Sequence, residues 1–228
     1  MPEDVDMAFQ TPILITNFKC YQESTGARAI ELAKLHERVG SELGVNTAVV
    51  GMALDLPMLA MSVSIPVLSQ HLDGLGWGAY TGLIPVEVAR SVGIDGSMLN
   101  HSERRISDSE IARALERMKA LNMLSVVCAE NNEEGKRFAD MGADFVAIEV
   151  PELIGGNVSV STAHPELIAE AVRIIGPGKV IVGAGIKTGE DVRKALELGA
   201  VGVLVSSGIV KAADPLAALR ELCSALKA

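Results

Sequence analysis

Cysteine is scarce and scattered: Cys20, Cys128 and Cys223 are the three in 228 residues. An odd number, far apart and without a Cys-x-x-Cys pair, builds neither a disulfide framework nor a two-thiol metal or redox site, and a reducing cytoplasm is the expected home. Apolar residues never run unbroken for the 18 or more positions that a membrane span needs. The polar opening Met1-Pro2-Glu3-Asp4 also lacks the basic and apolar regions of an export signal. A soluble, unexported protein without membrane contact is expected. Basic residues are outnumbered, with 20 Lys and Arg against 29 Asp and Glu, and the formal charge is -9. That balance works against a nucleic-acid partner, because phosphate backbones are gripped by basic surfaces. A small phosphate can still be held locally by backbone N–H groups at helix N-termini. The Asp, His and Cys residues form no convincing ligand cluster, so no metal is expected. Nor does a low-complexity tract or linker divide the chain.

What is present is hydrophobic patterning. With 49% of its residues hydrophobic, the chain has ample material for one core, and a single α/β domain over residues 1–228 is expected, residues 1–11 being a flexible tail. Short Val/Ile/Leu-rich runs alternate eight times with longer stretches of helical period. The expected strands are Ile13 to Lys19, Thr47 to Ala53, Val67 to Asp73, Ser97 to Ser102, Leu124 to Ala129, Asp144 to Glu149, Lys179 to Gly183 and Gly202 to Ser206. Expected helices include Thr25 to Leu43, Asp108 to Leu121, Asn132 to Met141, Pro165 to Ile175, Glu190 to Leu198 and Pro215 to Ala225; the second and third connections are less regular. Runs apolar on both faces, such as Val180-Ile181-Val182, suit parallel strands covered by helices. Eight such units close into an eight-stranded parallel (β/α)8 barrel. An open doubly wound sheet is the alternative, but Asn17-Phe18-Lys19 stands after the first strand where a Gly-x-Gly-x-x-Gly would be expected.

In a barrel, chemistry gathers where strands end and βα loops begin. The sixth strand ends in Glu149 after Phe145-Val146-Ala147-Ile148. A carboxylate against apolar walls has its pKa pushed upward, which suits a general base; an ion-paired strand-end glutamate is the plainer reading. His101 is followed by Ser102-Glu103-Arg104-Arg105 and by a capped helix start at Ser107 whose N-terminus would disfavour a charged imidazole. His71 also lies near a strand end, whereas His36 and His164 are expected on the surface. Lys19 places a cation at the mouth, either to neutralise a phosphate or oxyanion or to pair with an acid such as Glu103. Gly183-Ala184-Gly185 and Ser206-Ser207-Gly208 offer N–H groups and hydroxyls in the quarter of a barrel where phosphate is often bound. Pro151 to Asn157 has a stiff entry and a glycine-rich exit, as a lid has. Gly74 to Gly82, with Trp77 and Tyr80, is expected to protrude.

Taken in order, Asn17-Phe18-Lys19, Asn100-His101-Ser102-Glu103-Arg104-Arg105, Glu149-Val150-Pro151-Glu152-Leu153-Ile154-Gly155, Gly183-Ala184-Gly185-Ile186 and Ser206-Ser207-Gly208 resemble the triosephosphate isomerase family in its shorter archaeal form, over nearly the whole chain. The resemblance implies a single TIM barrel that interconverts dihydroxyacetone phosphate and D-glyceraldehyde 3-phosphate without a cofactor. It implies that Glu149 abstracts the proton, that neutral His101 is the electrophile and that Lys19 and Asn17 face the substrate. It further implies that backbone groups at Ile154 or Gly155, Gly185, Ser206 and Ser207 hold the phosphate. Pairing through loop 74–82 into a homo-oligomer, dimer or tetramer, is implied as well. The chain departs from the family at Val150, where proline is common, and at Gly156-Asn157-Val158-Ser159. Another sugar-phosphate enzyme on this scaffold is the main competing reading. An aldolase needs a Schiff-base lysine late in the barrel, and neither Lys179 nor Lys187 is well placed for one. A non-catalytic barrel would have no need for Lys19, His101 and Glu149 together.

Overall fold

The computed structural model describes residues 9–149 and 164–227. Eight parallel strands, β1 Ile13–Asn17, β2 Asn46–Gly51, β3 Val67–Ser69, β4 Gly96–Leu99, β5 Leu124–Ala129, β6 Phe145–Ile148, β7 Val180–Val182 and β8 Gly202–Val205, close into a barrel, with β8 pairing β1. Each expected strand is found, although most end earlier than expected. The run Val67 to Asp73 contributes only Val67–Ser69, because β3 meets β4 through just Leu68 and Ser69 before the chain turns, with Ser69 Oγ donating to the His71 carbonyl at 2.7 Å. The expected helices stand within two residues of their predicted ends, and the irregular second and third connections hold the short helices Leu56–Ser62 and Val86–Ser91. A four-residue helix, Ser207–Val210, follows β8 at once; it was not expected, being too short to show a period.

Strand side chains alternate between two cores, as the two-residue period of a strand requires. Ile13, Ile15, Val50, Leu68, Met98, Val126, Cys128, Ala147, Ile181 and Leu204 fill the barrel interior. Leu14, Val49, Leu99, Val127, Val146, Ile148 and Val203 face outward into the layer of helices. This parity fixes what appears at the mouth. Asn17 follows Ile13 and Ile15, Asn100 follows Met98, Glu149 follows Phe145 and Ala147, and Ser206 follows Leu204, so each continues an inward-facing series.

His36 is a correction to the sequence reading. It lies in the helix Ala27–Leu43 on the buried stripe of Ala29, Leu32, Ala33, Val39 and Gly40, and is fully buried rather than on the surface. Its Nδ1 lies 2.8 Å from the Leu32 carbonyl and its Nε2 2.8 Å from Thr16 Oγ1. Burial lowers its pKa to about 4, so it bridges helix and barrel as a neutral group. His164 is exposed, as expected, at the start of the helix Pro165–Ile175.

The loop between β3 and the helix Val86–Ser91 is closed at its neck, where the Asp73 N–H donates to the Ile84 carbonyl at 2.9 Å and the Ile84 N–H donates to Asp73 Oδ2 at 2.6 Å. A Cβ on Gly74 would lie 2.6 Å from the Ala114 backbone nitrogen, so the neck presses on the helix Asp108–Ala120. Beyond the neck Trp77, Tyr80 and Leu83 are exposed. No helix among the described residues is long and apolar enough to cross a membrane.

Candidate active site

A cavity of about 260 Å³ opens at the C-terminal end of the barrel, and Asn17, Lys19, His101, Glu149, Gly185, Ser206 and Ser207 all line it. Seven of the nine site residues expected from sequence therefore meet in one place. The other two, Ile154 and Gly155, lie outside the described residues, as do Val150 and the rest of the expected lid. His71, left open by position, lines a neighbouring cavity instead, with its Nε2 3.3 Å from Asp73 Oδ1 at the loop neck.

Glu149 is the most deeply buried acid of the mouth, with 4% of its surface exposed. Burial pushes its carboxyl pKa up to about 7, against the pull of the Cys128 thiol, the Lys19 ammonium and the Ser102 backbone N–H. Its Oε2 is buried and has no hydrogen-bond partner among the described residues. Part of its space is made by Gly183, where a Cβ would lie 2.8 Å from Glu149 Cγ. Cys128 continues the inward series of β5, and burial, followed by the charge of Glu149, raises its thiol pKa well above the ordinary range. A low-pKa nucleophile is thus excluded there. Sequence reasoning gave Cys128 no role, yet the parity of β5 already placed it beneath Glu149.

His101 owes its position to Asn100, whose backbone adopts φ 60, a left-handed conformation that a non-glycine residue occupies at a cost. The Asn100 side chain holds that turn from both ends, donating to the Cys128 carbonyl at 3.0 Å and accepting from the Ile106 N–H at 3.1 Å. The turn swings His101 over the mouth, where Nε2 stands 3.4 Å from Glu149 Oε1. Its Nδ1 accepts the Glu103 backbone N–H at 3.1 Å, so the proton of the neutral ring resides on Nε2 and points into the site. Burial, and then the Lys19 charge, lowers the imidazole pKa, while Glu103 opposes this.

Lys19 also has a left-handed backbone, φ 50, stabilised by its N–H donating to Asn17 Oδ1 at 3.0 Å and by Gln70 donating to its carbonyl at 2.9 Å. Its ammonium meets Glu103 Oε1 at 2.8 Å while still lining the cavity. The pairing with Glu103 is thereby realised, at a place where the ammonium also reaches the cavity. Beside it, at the ends of β7 and β8, Gly185 adopts φ 72, which suits glycine, and the Ser206 carbonyl accepts from the Ile209 and Val210 N–H groups at 3.1 and 3.0 Å. Ser206 Oγ is buried without a hydrogen-bond partner among the described residues. An unpartnered buried hydroxyl beside a glycine turn is suited to an oxygen-rich anion. No group of three or more His, Cys, Asp or Glu that could hold a metal occurs among the described residues. The cavity thus pairs a carboxylate that titrates near neutrality with a neutral N–H donor and a nearby cation, an arrangement able to move a proton next to a polarised oxygen.

The sequence model of one family, described as triosephosphate isomerase, matches residues 12–226. Among curated relatives, a triosephosphate isomerase of Methanothermobacter thermautotrophicus is 47% identical, with 98% of this chain and 99% of the relative covered. One of Archaeoglobus fulgidus is 44% identical over 94% of this chain and 98% of the relative. One of Methanocaldococcus jannaschii is 41% identical over 92% and 98%.

Proposed function

The chain belongs to the triosephosphate isomerase family and is an isomerase of dihydroxyacetone phosphate and D-glyceraldehyde 3-phosphate, and we propose that Glu149 is the base that carries the proton between the two carbons. The observation that carries this reading is the placement of a carboxyl of pKa about 7 at 3.4 Å from the N–H edge of a neutral imidazole. A base tuned to the working pH maximises both the fraction ready to accept a proton and the drive to accept it. Glu149 takes the proton from the hydroxyl-bearing carbon, His101 Nε2–H and the Lys19 ammonium stabilise the developing enediolate oxygens, the hydroxyl proton passes from one oxygen to the other with His101 Nε2 as relay, and Glu149 returns its proton to the neighbouring carbon. Charge is balanced throughout, and the reaction calls for no redox partner.

Lys19 and Asn17 face the substrate, and backbone groups at Gly185, Ser206 and Ser207, with Ile154 or Gly155, hold its phosphate. This division is supported by the unpartnered Ser206 Oγ, whose residue lines the same cavity as Glu149. Purified protein is expected to interconvert the two triose phosphates in a coupled assay without added metal or cofactor. An inactive wild type would overturn the isomerase reading.

A homo-oligomer paired through loop 74–82 is part of the same proposal, and three free, widely spaced cysteines favour a reducing cytoplasm as its setting. Trp77 is 69% exposed, Leu54 81% and Met61 80%, a cost that a partner surface removes. Sedimentation velocity is expected to show an assembly larger than one chain, and Trp77→Ser combined with Tyr80→Ser is expected to shift it towards the monomer. A wild type that sediments only as a monomer would refute the pairing.

A further inference from the structure

Tyr21 falls in none of the motifs that carry the chemistry, yet it lines the same cavity as Lys19, Ser206, Ser207 and Gly208. Its backbone is held in place: the Ser24 N–H donates to the Tyr21 carbonyl at 3.1 Å, and the buried Ser24 Oγ donates to the Phe18 carbonyl at 2.5 Å. Over the ring sits the ammonium of Lys211, 4.1 Å from the centroid. Lys211 is exposed and lies directly after the helix Ser207–Val210, with its N–H donating to the Ser207 carbonyl at 3.0 Å. One contact thus joins the turn that carries Lys19 to the turn that carries Ser206 and Ser207. These two turns belong to β1 and β8, neighbours at the point where the barrel closes.

We propose that Tyr21 is a positioning residue for the phosphate end of the substrate, its ring pinned by Lys211 so that the Lys19 turn and the Ser206-Ser207 turn keep the spacing of a bound phosphate. The inference rests on the isomerase reading above, because that reading supplies the phosphate. An ammonium over an aromatic face is attracted by the negative charge of the π face, and the attraction strengthens as water is excluded. Loss of either partner frees the turns to separate. The effect falls on binding more than on chemistry, since neither Glu149 nor His101 touches the pair.

The test compares Tyr21→Leu, Lys211→Met and their double variant with Tyr21→Phe and Lys211→Arg, which keep the ring face and the cation. Tyr21→Leu and Lys211→Met are each expected to raise KM about three- to ten-fold, with a smaller change in kcat. The double variant is expected to be no worse than the poorer single variant, because the two side chains form one contact. Tyr21→Phe and Lys211→Arg are expected to restore KM to within about two-fold of wild type. The dissociation constant for inorganic phosphate, measured by isothermal titration calorimetry, should rise by the same factor as KM. Unchanged KM and phosphate affinity in both disruptive variants, additive losses in the double variant, or a loss confined to kcat would each overturn the proposal. Phosphate titration needs no turnover, so it decides the role of the pair even if the wild type proves inactive and the isomerase reading fails.

Discussion

Glu149→Gln is expected to lower kcat by about 100-fold or more with little change in KM, since the amide keeps the size and hydrogen-bonding reach of the carboxyl but cannot accept the substrate proton. Single-turnover and steady-state rates in the coupled assay check this, and undiminished turnover would remove Glu149 from the role of base. The pH profile supplies an independent signature. Burial has raised the carboxyl to about 7, so kcat/KM of the wild type should fall as pH drops through that value and the base becomes protonated. A base with an ordinary carboxylate pKa would hold activity down to about 4.5. Stability moves in the opposite sense to activity. A carboxyl raised from 4.5 to about 7 on folding contributes stability that is fully present below about 4.5 and lost as pH rises through about 7. The Gln variant escapes that loss, so its thermal midpoint should exceed that of the wild type at pH 8 and the advantage should shrink as pH falls and vanish below about 4.5. A variant that is inactive yet more stable at high pH would separate a functional cost from misfolding, and it would show that the buried charge is retained against the interest of the fold.

The barrel was legible in the sequence because parallel strands buried on both faces announce themselves as unbroken Val/Ile/Leu runs, and Val180-Ile181-Val182 needs no structural help to be read. Strand ends were less legible. Hydrophobicity continues past the last ladder hydrogen bond, so the pattern carries the expected strands on to Lys19 and Asp73 although the backbone has already turned, at Lys19 into the left-handed region. Composition does not encode that turn; the Asn17 and Gln70 side chains hold it, one of them more than 50 residues away.

His36 was misplaced for a simpler reason. Its polarity argues for the surface, whereas its spacing of four from Leu32 and three from Ala33 and Val39 sets it on the buried stripe of its helix. For the site, Asn17, Glu149 and Ser206 are legible as residues at strand ends, and the two-residue period of their strands turns them inward. The tautomer of His101 is not legible there. It depends on the Glu103 N–H reaching back to Nδ1, a contact made possible by the left-handed Asn100. Tyr21 was missed because its partner, Lys211, lies at the far end of the chain and no local pattern links the two.

Replacing His101 tests the other half of the chemistry. In His101→Leu the cavity loses the Nε2–H donor, and the Glu103 N–H loses its acceptor, which frees the Glu103 backbone beside the Lys19 ion pair. Removing a single preorganised donor from a developing oxyanion costs on the order of 10²- to 10³-fold in kcat, and a loss of that size is expected here with a smaller change in KM. His101→Gln separates the two consequences, because an amide can still donate towards the substrate but cannot take both the Nδ1 and the Nε2 positions of the ring. It should recover part of kcat. The pH profile should change little in either variant, since burial of Glu149, not His101, is the main cause of the raised carboxyl. Both variants are therefore expected to keep an acid limb near pH 7. If that limb moved down towards 4.5 in both, Glu149 would owe its tuning to the imidazole 3.4 Å away, and base and electrophile would have to be treated as one coupled unit.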